Sequence, residues 1–398
     1  MIAFSRTSFA RERVLTLRSA PARRYWLGIV LVLILPSCTA EVPEAQPEDP
    51  GRIALESAVQ YLWSQQHADG AWRSETHAWL RSGQALTPFV LLALLESERV
   101  LARRDPEGAR RALAFIRSSI GAQGIVGLAE PGVPEYPNYA TAFALRCFLR
   151  IAPAGDEAIG RLVVALKREQ FRAAIGFDES SPVFGAWGFG GRRPEGSPGH
   201  VDLSYTRHVL EALQEAGCED PDLRARVRVF LARMQKRGEP FYDGGFFFTP
   251  NVPTANKAGA ARAANGREYF RSYATATCDG VIALIAAGVT MNDERVEDAL
   301  RWLTEHDDLE GPAGIPPDEP NGWKDSIRFY HWTVRAEAHR LLGGPPGWRD
   351  GIVRFLLAEQ QADGSFVNTR NHLMKEDDPL LATALAVLAL SHALLPST

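Results

Sequence analysis

The sequence contains the same helix end and turn twice. "YLWSQQHADGAW" runs from Tyr61 to Trp72, and "FLLAEQQADGSF" runs from Phe355 to Phe366, close to the end of a 398-residue chain. Both stretches have an aromatic–Leu pair, a Gln, Ala-Asp-Gly and a final aromatic residue. Such a repetition is typical of a fold that is built from equivalent units.

Two kinds of segment alternate from Arg52 onward. The first kind ends in an aromatic–aliphatic or similar pair before a turn, and the six pairs begin at Tyr61, Phe115, Ala165, Phe230, Trp302 and Phe355. Successive pairs lie about 50 to 70 residues apart, close to the period of helical-hairpin repeats. The second kind, such as "PLLATALAVLALSHAL", is rich in Ala and Leu. A helix that is apolar nearly all round is packed on both faces, whereas a helix that is polar on one side belongs to an outer layer.

We therefore expect an all-α fold, an (α/α)6 toroid of six helical hairpins around a central cavity, with no strand of useful length. The repeated turn fits this architecture. Asp-Gly lets the chain leave a helix with a positive φ at the Gly. Gln66 and Gln360 can hydrogen-bond backbone groups at a neighbouring helix end, and Trp72 or Phe366 can cover them.

These turns resemble those of a known superfamily. Tyr61-Leu62, Gln66, Gly70 and Trp72 match the QW repeat of squalene and hopene cyclases. "YDGGFFFTP" and "RSYATATCDGVIALIAAGV" are similar to segments of bacterial prenyltransferase/squalene-oxidase repeat proteins. The resemblance implies the toroid of the terpenoid cyclases and protein prenyltransferases. Fold does not imply function, because this superfamily includes cyclases, prenyltransferases and members without an assigned activity.

The chemistries of that superfamily need residues that are only partly present here. The Asp-x-Asp-Asp acid of the hopene-type cyclases is absent from the sequence. The zinc set of the prenyltransferases is incomplete: the resemblance places His331 at the family's zinc-binding His, whereas Cys278 and Asp279 lie further along the preceding helix than the family's ligands. We expect no cofactor, with Cys278, Asp279 and His331 as the candidates if zinc binds. The sequence leaves open whether the protein is an enzyme.

The starts of the Ala-rich helices point toward one mouth of the expected toroid, and they carry aromatic residues: Phe89, Tyr139, Tyr205, Tyr273, Tyr330 and Trp332. An aromatic-lined hollow with a few polar groups is the usual form of a small-molecule site. The candidate ligand-binding residues are Asp202, Tyr205, Tyr273, Tyr330 and His331. Alternatively, these side chains pack between helices and fill the ring. The segment 251–270, "NVPTANKAGAARAANGREYF", is long enough to be either functional or disordered, and one hypothesis is that it lies over the mouth as a lid.

The first residues differ from the rest in composition. An Arg-rich stretch and the apolar run "WLGIVLVLIL" precede "LPSC", which resembles a bacterial lipobox with Cys38 as the lipidated residue. The run is shorter than the roughly 20 residues that a membrane-spanning helix needs, and this pattern is typical of an export signal. We expect an export signal at 1–37, a Pro/Glu-rich tether at 38–51 and the toroid at 52–398. Ordinary secretion and a membrane-anchoring helix are the alternatives.

These features predict a bacterial exported lipoprotein, anchored to a membrane at its periplasmic face. A net charge of −4 gives no electrostatic reason to expect nucleic acid as a partner. We expect a non-cyclising member that binds an extended apolar or polymeric ligand (an isoprenoid, lipid or glycan) or a protein segment in its cavity. The alternative is an enzyme, either a divergent terpenoid cyclase or prenyltransferase or a polysaccharide-cleaving enzyme on the same barrel.

Overall fold

A computed structural model describes residues 49–130, 132–238 and 241–396. Its helices are α1 (Pro50–Ser64), α2 (Leu86–Leu101), α3 (Pro106–Ser118), α4 (Pro137–Ile151), α5 (Glu157–Glu169), α6 (Leu203–Glu215), α7 (Pro221–Met234), α8 (Ala274–Ala286), α9 (Glu294–Glu305), α10 (Trp323–Ser326), α11 (Arg328–Leu342), α12 (Trp348–Glu359) and α13 (Pro379–Leu394). Single 3-10 turns lie at Ala78–Leu80, Ala173–Ile175 and Pro253–Ala255. The predicted export signal and Cys38 lie outside the described residues.

The helices form six hairpins arranged in two concentric rings. The inner helices pack side by side in the closed order α2, α4, α6, α8, α11, α13 and back to α2. The outer helices α1, α3, α5, α7, α9 and α12 each precede an inner helix and pack on the inner ring. The expected α/α toroid of six hairpins is confirmed. The inner helices are buried along nearly their whole length because one face meets the outer ring and the other meets the ring's interior.

Aspartate side chains mark the starts of many of these helices. Each accepts a hydrogen bond from a backbone amide in the first turn, which would otherwise have no partner inside the helix. The capping residues are Asp49, Asp105, Asp156, Asp202, Asp220, Asp293 and Asp378. Proline follows the cap at four of them, where its missing N–H costs no helical hydrogen bond.

The repeated turn connects neighbouring hairpins. Gln66 Nε2 donates to the carbonyl of Gly70 in its own turn (3.1 Å) and to that of Gly108 at the start of α3 (2.9 Å). Gln360 Nε2 does the same with Gly364 (3.1 Å) and with Ala54 in α1 (2.9 Å). Gln170 and Gln235 repeat the pattern in the third and fourth hairpins. The Gln of the last outer helix thus bonds to the first, so the device that links successive units also closes the ring.

A threonine in the inner helix fixes the other side of the turn in five of the six hairpins. Trp72 N donates to Thr87 Oγ1 (3.0 Å), and Phe366 N donates to Thr383 Oγ1 (2.9 Å). The same bond recurs at Thr141, Thr206 and Thr277. Each inner helix that carries this threonine is therefore held at a set height relative to its turn, which places the first turns of these helices at one level.

Segment 251–270 contains two short strands, neither of a length that alters the expected all-α fold. It forms an antiparallel hairpin of β1 (Ala260–Arg262) and β2 (Glu268–Phe270), in which Ala261 pairs with Tyr269. Strands of three residues carry too little alternation to be recognised in a sequence. Across the described ranges, no helix has both the length and the apolar character that a membrane crossing requires.

Candidate functional site

A cavity of about 220 Å³ lies inside the inner ring. All six inner helices contribute side chains to it, and so do the loops before α2, α4, α8, α11 and α13. Met374 lines the cavity and is 37% exposed, so the cavity reaches the protein surface beside this residue. The toroid is therefore hollow in part, and its interior is accessible from one end.

Apolar side chains form most of the cavity wall. The aromatic residues of the wall are Phe89, Tyr136, Tyr139, Phe143, Phe248, Tyr273 and Tyr330. The aliphatic residues include Leu86, Leu92, Val334, Leu381, Leu385 and Leu388. The rings contact one another, and the centroids of Phe89 and Phe143 are 5.1 Å apart. Such a wall offers apolar contact area and few hydrogen bonds.

Charged residues form the deep end of the cavity, most of them from the C-terminal halves of the inner helices, with Arg207 from the first half of α6. Glu96, Arg146, Arg207, Glu337 and His392 line it there. Arg207 is the centre of this group: its guanidinium contacts Glu211 (3.2 Å), Asp279 (3.1 Å) and Glu337. Buried charges are retained only with such partners, because an isolated charge in an apolar interior is strongly unfavourable.

The protonation of this charged group follows from burial and from Arg207. Burial opposes ionisation of Glu211, but Arg207, His208 and Arg146 outweigh it and hold the pKa of Glu211 below its usual range. For Asp279, burial outweighs the opposing effects of Arg207 and Tyr330 and raises the pKa to about 7. The two carboxylates on one guanidinium therefore titrate in different pH ranges.

Hydrogen bonds connect the aromatic wall to this charged group. Tyr330 donates its hydroxyl proton to Asp279 (2.9 Å), and Ser204 Oγ lies 2.5 Å from the same hydroxyl. Because a tyrosine has one hydroxyl proton, Ser204 is the donor in the second bond. Tyr330 is therefore held on both sides, which orients its ring in the wall.

Glu376 lines the cavity at its other end, near the starts of the inner helices. Its carboxylate accepts hydrogen bonds from the backbone amides of Phe329 (3.0 Å) and Tyr330 (2.8 Å) in the first turn of α11, and from Asn368 (3.2 Å). Burial raises the pKa of Glu376 to about 7, although the three hydrogen-bond donors act to lower it. Glu376 thus caps α11 from a distant loop.

Lys257, in segment 251–270, is a lining residue that sequence reasoning missed. Its side chain is buried, and Nζ lies 3.5 Å from the ring centroid of Phe248 and 5.1 Å from that of Trp323. It forms no hydrogen bond or ion pair with any residue in the described ranges. Burial lowers the pKa of Lys257 to about 8, and the distant carboxylates Asp202 and Asp279 oppose this effect.

The predicted ligand-binding residues fall into two groups. Tyr273 and Tyr330 line the cavity. Asp202 caps α6 through the amide of Tyr205 (2.8 Å) and contacts His200 (2.8 Å). Tyr205 stacks on Tyr139, which lies between it and the cavity, with centroids 4.1 Å apart. His331 is buried in α11 with Nδ1 3.2 Å from Thr275 Oγ1.

The three candidate zinc ligands have different neighbours. Cys278 lies near Arg335, whereas Asp279 is hydrogen-bonded to Arg207 and Tyr330. Burial raises the pKa of the Cys278 thiol to about 11 and lowers that of His331. Among residues 49–130, 132–238 and 241–396, no three His, Cys, Asp or Glu side chains are grouped so that they could hold a metal ion.

The charged residues of the deep end were also missed at the level of sequence. Arg207 lies in "SYTRHVLEALQE" and Glu337 in "TVRAEAHRLL", where a charge interrupts a helix that is otherwise buried. That interruption is the available signal, since a charge on an all-round buried helix needs a partner on another helix. The identity of the partner depends on how the ring closes.

Solved structures with the same fold include enzymes of different classes. A single-residue variant of the type II terpene cyclase MstE from Scytonema, in complex with the product merosterolic acid A, matches with a TM-score of 0.54 and 15% identity over 87% of this chain and 97% of that one. Cellobiose 2-epimerase from Bacillus thermoamylovorans B4167 matches with a TM-score of 0.52 and 15% identity over 85% of this chain and 97% of that one.

An inactive variant of an α-1,6-mannanase from Salegentibacter sp. HEL1_6, in complex with α-1,6-mannotriose, matches with a TM-score of 0.50 and 12% identity over 87% of this chain and 98% of that one. No protein-family model matches the sequence, and no curated protein sequence does. The similarity confirms that this chain has the α/α-toroid fold that terpenoid cyclases share with sugar-processing enzymes. At these identities it shows the fold alone.

Proposed function

We propose that this protein binds an apolar chain of isoprenoid or acyl type in the cavity of its toroid. The observation that carries the proposal is the cavity wall, in which aromatic and aliphatic side chains from α2, α4, α11 and α13 and from the loops before the inner helices line about 220 Å³. Helices α6 and α8 contribute the polar residues Ser204, Arg207, His208 and Thr275. An apolar cavity of about 150 Å³ binds benzene, so by proportion this one fits roughly nine or ten carbon atoms.

The polar groups of the wall favour such a ligand over a glycan. A bound sugar needs free donors and acceptors along its whole length. Here the charged residues of the deep end are already paired with one another, as in the contacts of Arg207 with Asp279 and Glu337. A sugar that replaced these contacts would leave buried charges without partners.

The same pairing favours binding over acid catalysis. Three carboxylates line the cavity, and each has a partner: Glu96 contacts Arg150 (2.6 Å), Glu337 contacts Arg207, and Glu376 accepts from two backbone amides. A divergent cyclase or a glycan-cleaving enzyme remains the alternative. It would require one of these carboxylates to leave its partners and donate a proton to the ligand.

The ligands of the structural neighbours are consistent with this proposal. MstE has been solved with merosterolic acid A and with geranylgeranyl dihydroxybenzoate, so the toroid fold can hold a terpenoid. The mannanase has been solved with mannotriose. The apolar wall of this chain favours the first kind of ligand.

Native mass spectrometry of the full-length protein, purified from its own cells, tests the proposal. We expect a bound mass that extraction identifies as an isoprenoid or acyl compound. Leu385→Trp places an indole in the cavity and should be purified without the bound ligand. Val164→Trp, on the exposed face of α5, should be purified with the ligand bound. An apo mass for the unaltered protein, or the same ligand on Leu385→Trp, would contradict the proposal.

We further propose that the protein acts at a membrane surface as an exported lipoprotein. The support is the sequence before residue 49: an Arg-rich stretch, a short apolar run and "LPSC" ending at Cys38. Labelling growing cells with radioactive palmitate should label the protein and should fail to label Cys38→Ala. Equal labelling of the two, or labelling of neither, would refute lipidation at this residue.

A further inference from the structure

Lys257 has an environment that is unusual for a lysine. It is 4% exposed, it lines the cavity, and its ammonium group contacts ring faces in place of a carboxylate. Lysine is almost never fully buried without a partner of opposite charge. Contact with an aromatic face recovers only part of the lost hydration.

The backbone around Lys257 lies beside the start of α8. Arg271 N donates to the carbonyl of Gly259 (3.0 Å), and the Arg271 side chain donates to that of Ala258 (3.1 Å). Arg271 precedes Tyr273, the residue before α8, by two positions. These bonds hold the segment that carries Lys257 against the entry to this inner helix.

The start of α8 differs from those of its neighbours. Carboxylates cap α6, α11 and α13, through Asp202, Glu376 and Asp378. Tyr273, the residue before α8, provides no side-chain cap; the amide of Ala274 donates to the backbone carbonyl of Ala313 (2.8 Å), and no side chain in the described residues accepts from the next amides of the first turn. The first backbone amides of a helix carry partial positive charge and favour an anion, so this end of the cavity has two independent reasons to attract one.

We propose that Lys257 binds the anionic head group of the cavity's ligand, a carboxylate or a phosphate, near the start of α8, which has no side-chain cap. This rests on the proposed function, since the chain of the same ligand occupies the apolar cavity. The ligand is thus an amphipathic acid whose head lies near Phe248 and Tyr273 and whose chain extends toward Leu385 and Leu388. The anion supplies the partner that Lys257 lacks.

Binding of three ten-carbon probes tests this assignment. Decanol, decanoate and decyl phosphate are titrated into the full-length protein at pH 7, below their micelle-forming concentrations. We expect decanoate or decyl phosphate to bind about 10- to 100-fold more tightly than decanol, the gain of one charge-assisted contact. The better of the two acids identifies the head group as carboxylate or phosphate.

Two variants separate the role of the charge from the role of the cavity. Lys257→Met retains the length of the side chain without the charge, and it should bind the acids no better than it binds decanol. Lys167→Met on the outer helix α5, which removes a lysine paired with Asp220, should behave as the unaltered protein.

Each outcome decides between the two proposals. Equal affinities for decanol and both acids, or an acid preference that survives in Lys257→Met, would overturn the role of Lys257 and leave the apolar cavity site in place. Failure of all three probes to bind the unaltered protein would overturn the cavity function itself.

Discussion

Gln360 donates a hydrogen bond to the carbonyl of Ala54, 306 positions earlier in the chain, and thereby joins the last outer helix to the first. The same amide also holds its own turn through Gly364. In the first hairpin Gln66 makes the equivalent pair of bonds to Gly70 and Gly108. One side chain per turn thus connects consecutive units, and at Gln360 it closes the circle.

Gln360→Ala should reduce the free energy of unfolding by about 1–2 kcal/mol, because two partly buried hydrogen bonds are lost. Urea denaturation measures this change. Gln361→Ala is the matched control: its amide bonds only the exposed carbonyl of Glu359, so we expect a change within about 0.5 kcal/mol. Equal effects of the two substitutions would show that the contact with Ala54 does not stabilise the ring.

Gly364→Ala should destabilise the protein more than Gly155→Ala does. Both glycines have a positive φ, at 88° and 81°, so both substitutions carry a backbone penalty of about 1 kcal/mol. Only at Gly364 would the new Cβ also lie 2.6 Å from the carbonyl oxygen of Ser57 in α1, whereas the space around Gly155 is open. Thermal unfolding measures the two losses of stability. If they were equal, α1 would have to move away from the new Cβ at position 364 without an energetic cost.

Arg207→Met should destabilise the protein by about 3–5 kcal/mol at pH 8, because Glu211, Asp279 and Glu337 keep buried charges without their cation. Carboxyl groups without a cation have raised pKa values and become neutral as the pH falls, so the loss should shrink by pH 5. Urea denaturation of this variant and the unaltered protein at both pH values measures the difference.

Arg117→Met is the control for Arg207→Met, since Arg117 pairs with Asp156 at the surface. Exposed ion pairs contribute about 0–1 kcal/mol, and we expect little dependence on pH. A destabilisation by Arg207→Met that was the same at pH 5 and pH 8 would assign the effect to packing.

Lys257→Met should stabilise the ligand-free protein at pH 7, by about 2–3 kcal/mol, since it removes a buried cation without an anionic partner. Burial lowers the folded-state pKa of Lys257 to about 8, against an unfolded value of 10.5. Between these pH values the unfolded chain binds more protons, so the stability of the unaltered protein rises with pH relative to the variant.

The advantage of Lys257→Met should therefore be largest below pH 8 and should disappear by about pH 10.5. Urea denaturation of the variant and the unaltered protein at pH 7, 9 and 10.5 measures this difference in stability, and Lys167→Met is the exposed-lysine control. A variant that was less stable than the unaltered protein at pH 7 would indicate that the contact of Lys257 with Phe248 outweighs its loss of hydration.

The repeat made the architecture predictable from the sequence. Tyr61-Leu62, Gln66, Gly70 and Trp72 form a local pattern, because the turn, its positive φ and its covering ring lie within a few residues of one another. Helix type and order then followed from the alternation of amphipathic and Ala-rich segments. The three-residue strands β1 and β2 were not predictable, since they carry too few positions for a period.

The site was predictable only where a residue's position in its helix decides its direction. Tyr273 and Tyr330 lie at helix starts and line the cavity. Arg207 was missed because its partners Asp279 and Glu337 come from two other helices. Lys257 was missed because a lysine in a Gly- and Ala-rich loop is ordinarily exposed, and its burial depends on Phe248 and Trp323 folding over it.

Calorimetric titration of the full-length protein with geraniol, a ten-carbon isoprenoid alcohol, tests the central claim most directly. We predict binding of one molecule with a negative heat-capacity change, the signature of apolar burial, and its loss in Leu385→Trp but not in Val164→Trp. Comparable melting temperatures of the three proteins would show that a loss of binding is caused by the filled cavity and not by unfolding of the variant. An unaltered protein that bound no geraniol, or a Leu385→Trp variant that bound it equally well, would contradict the claim.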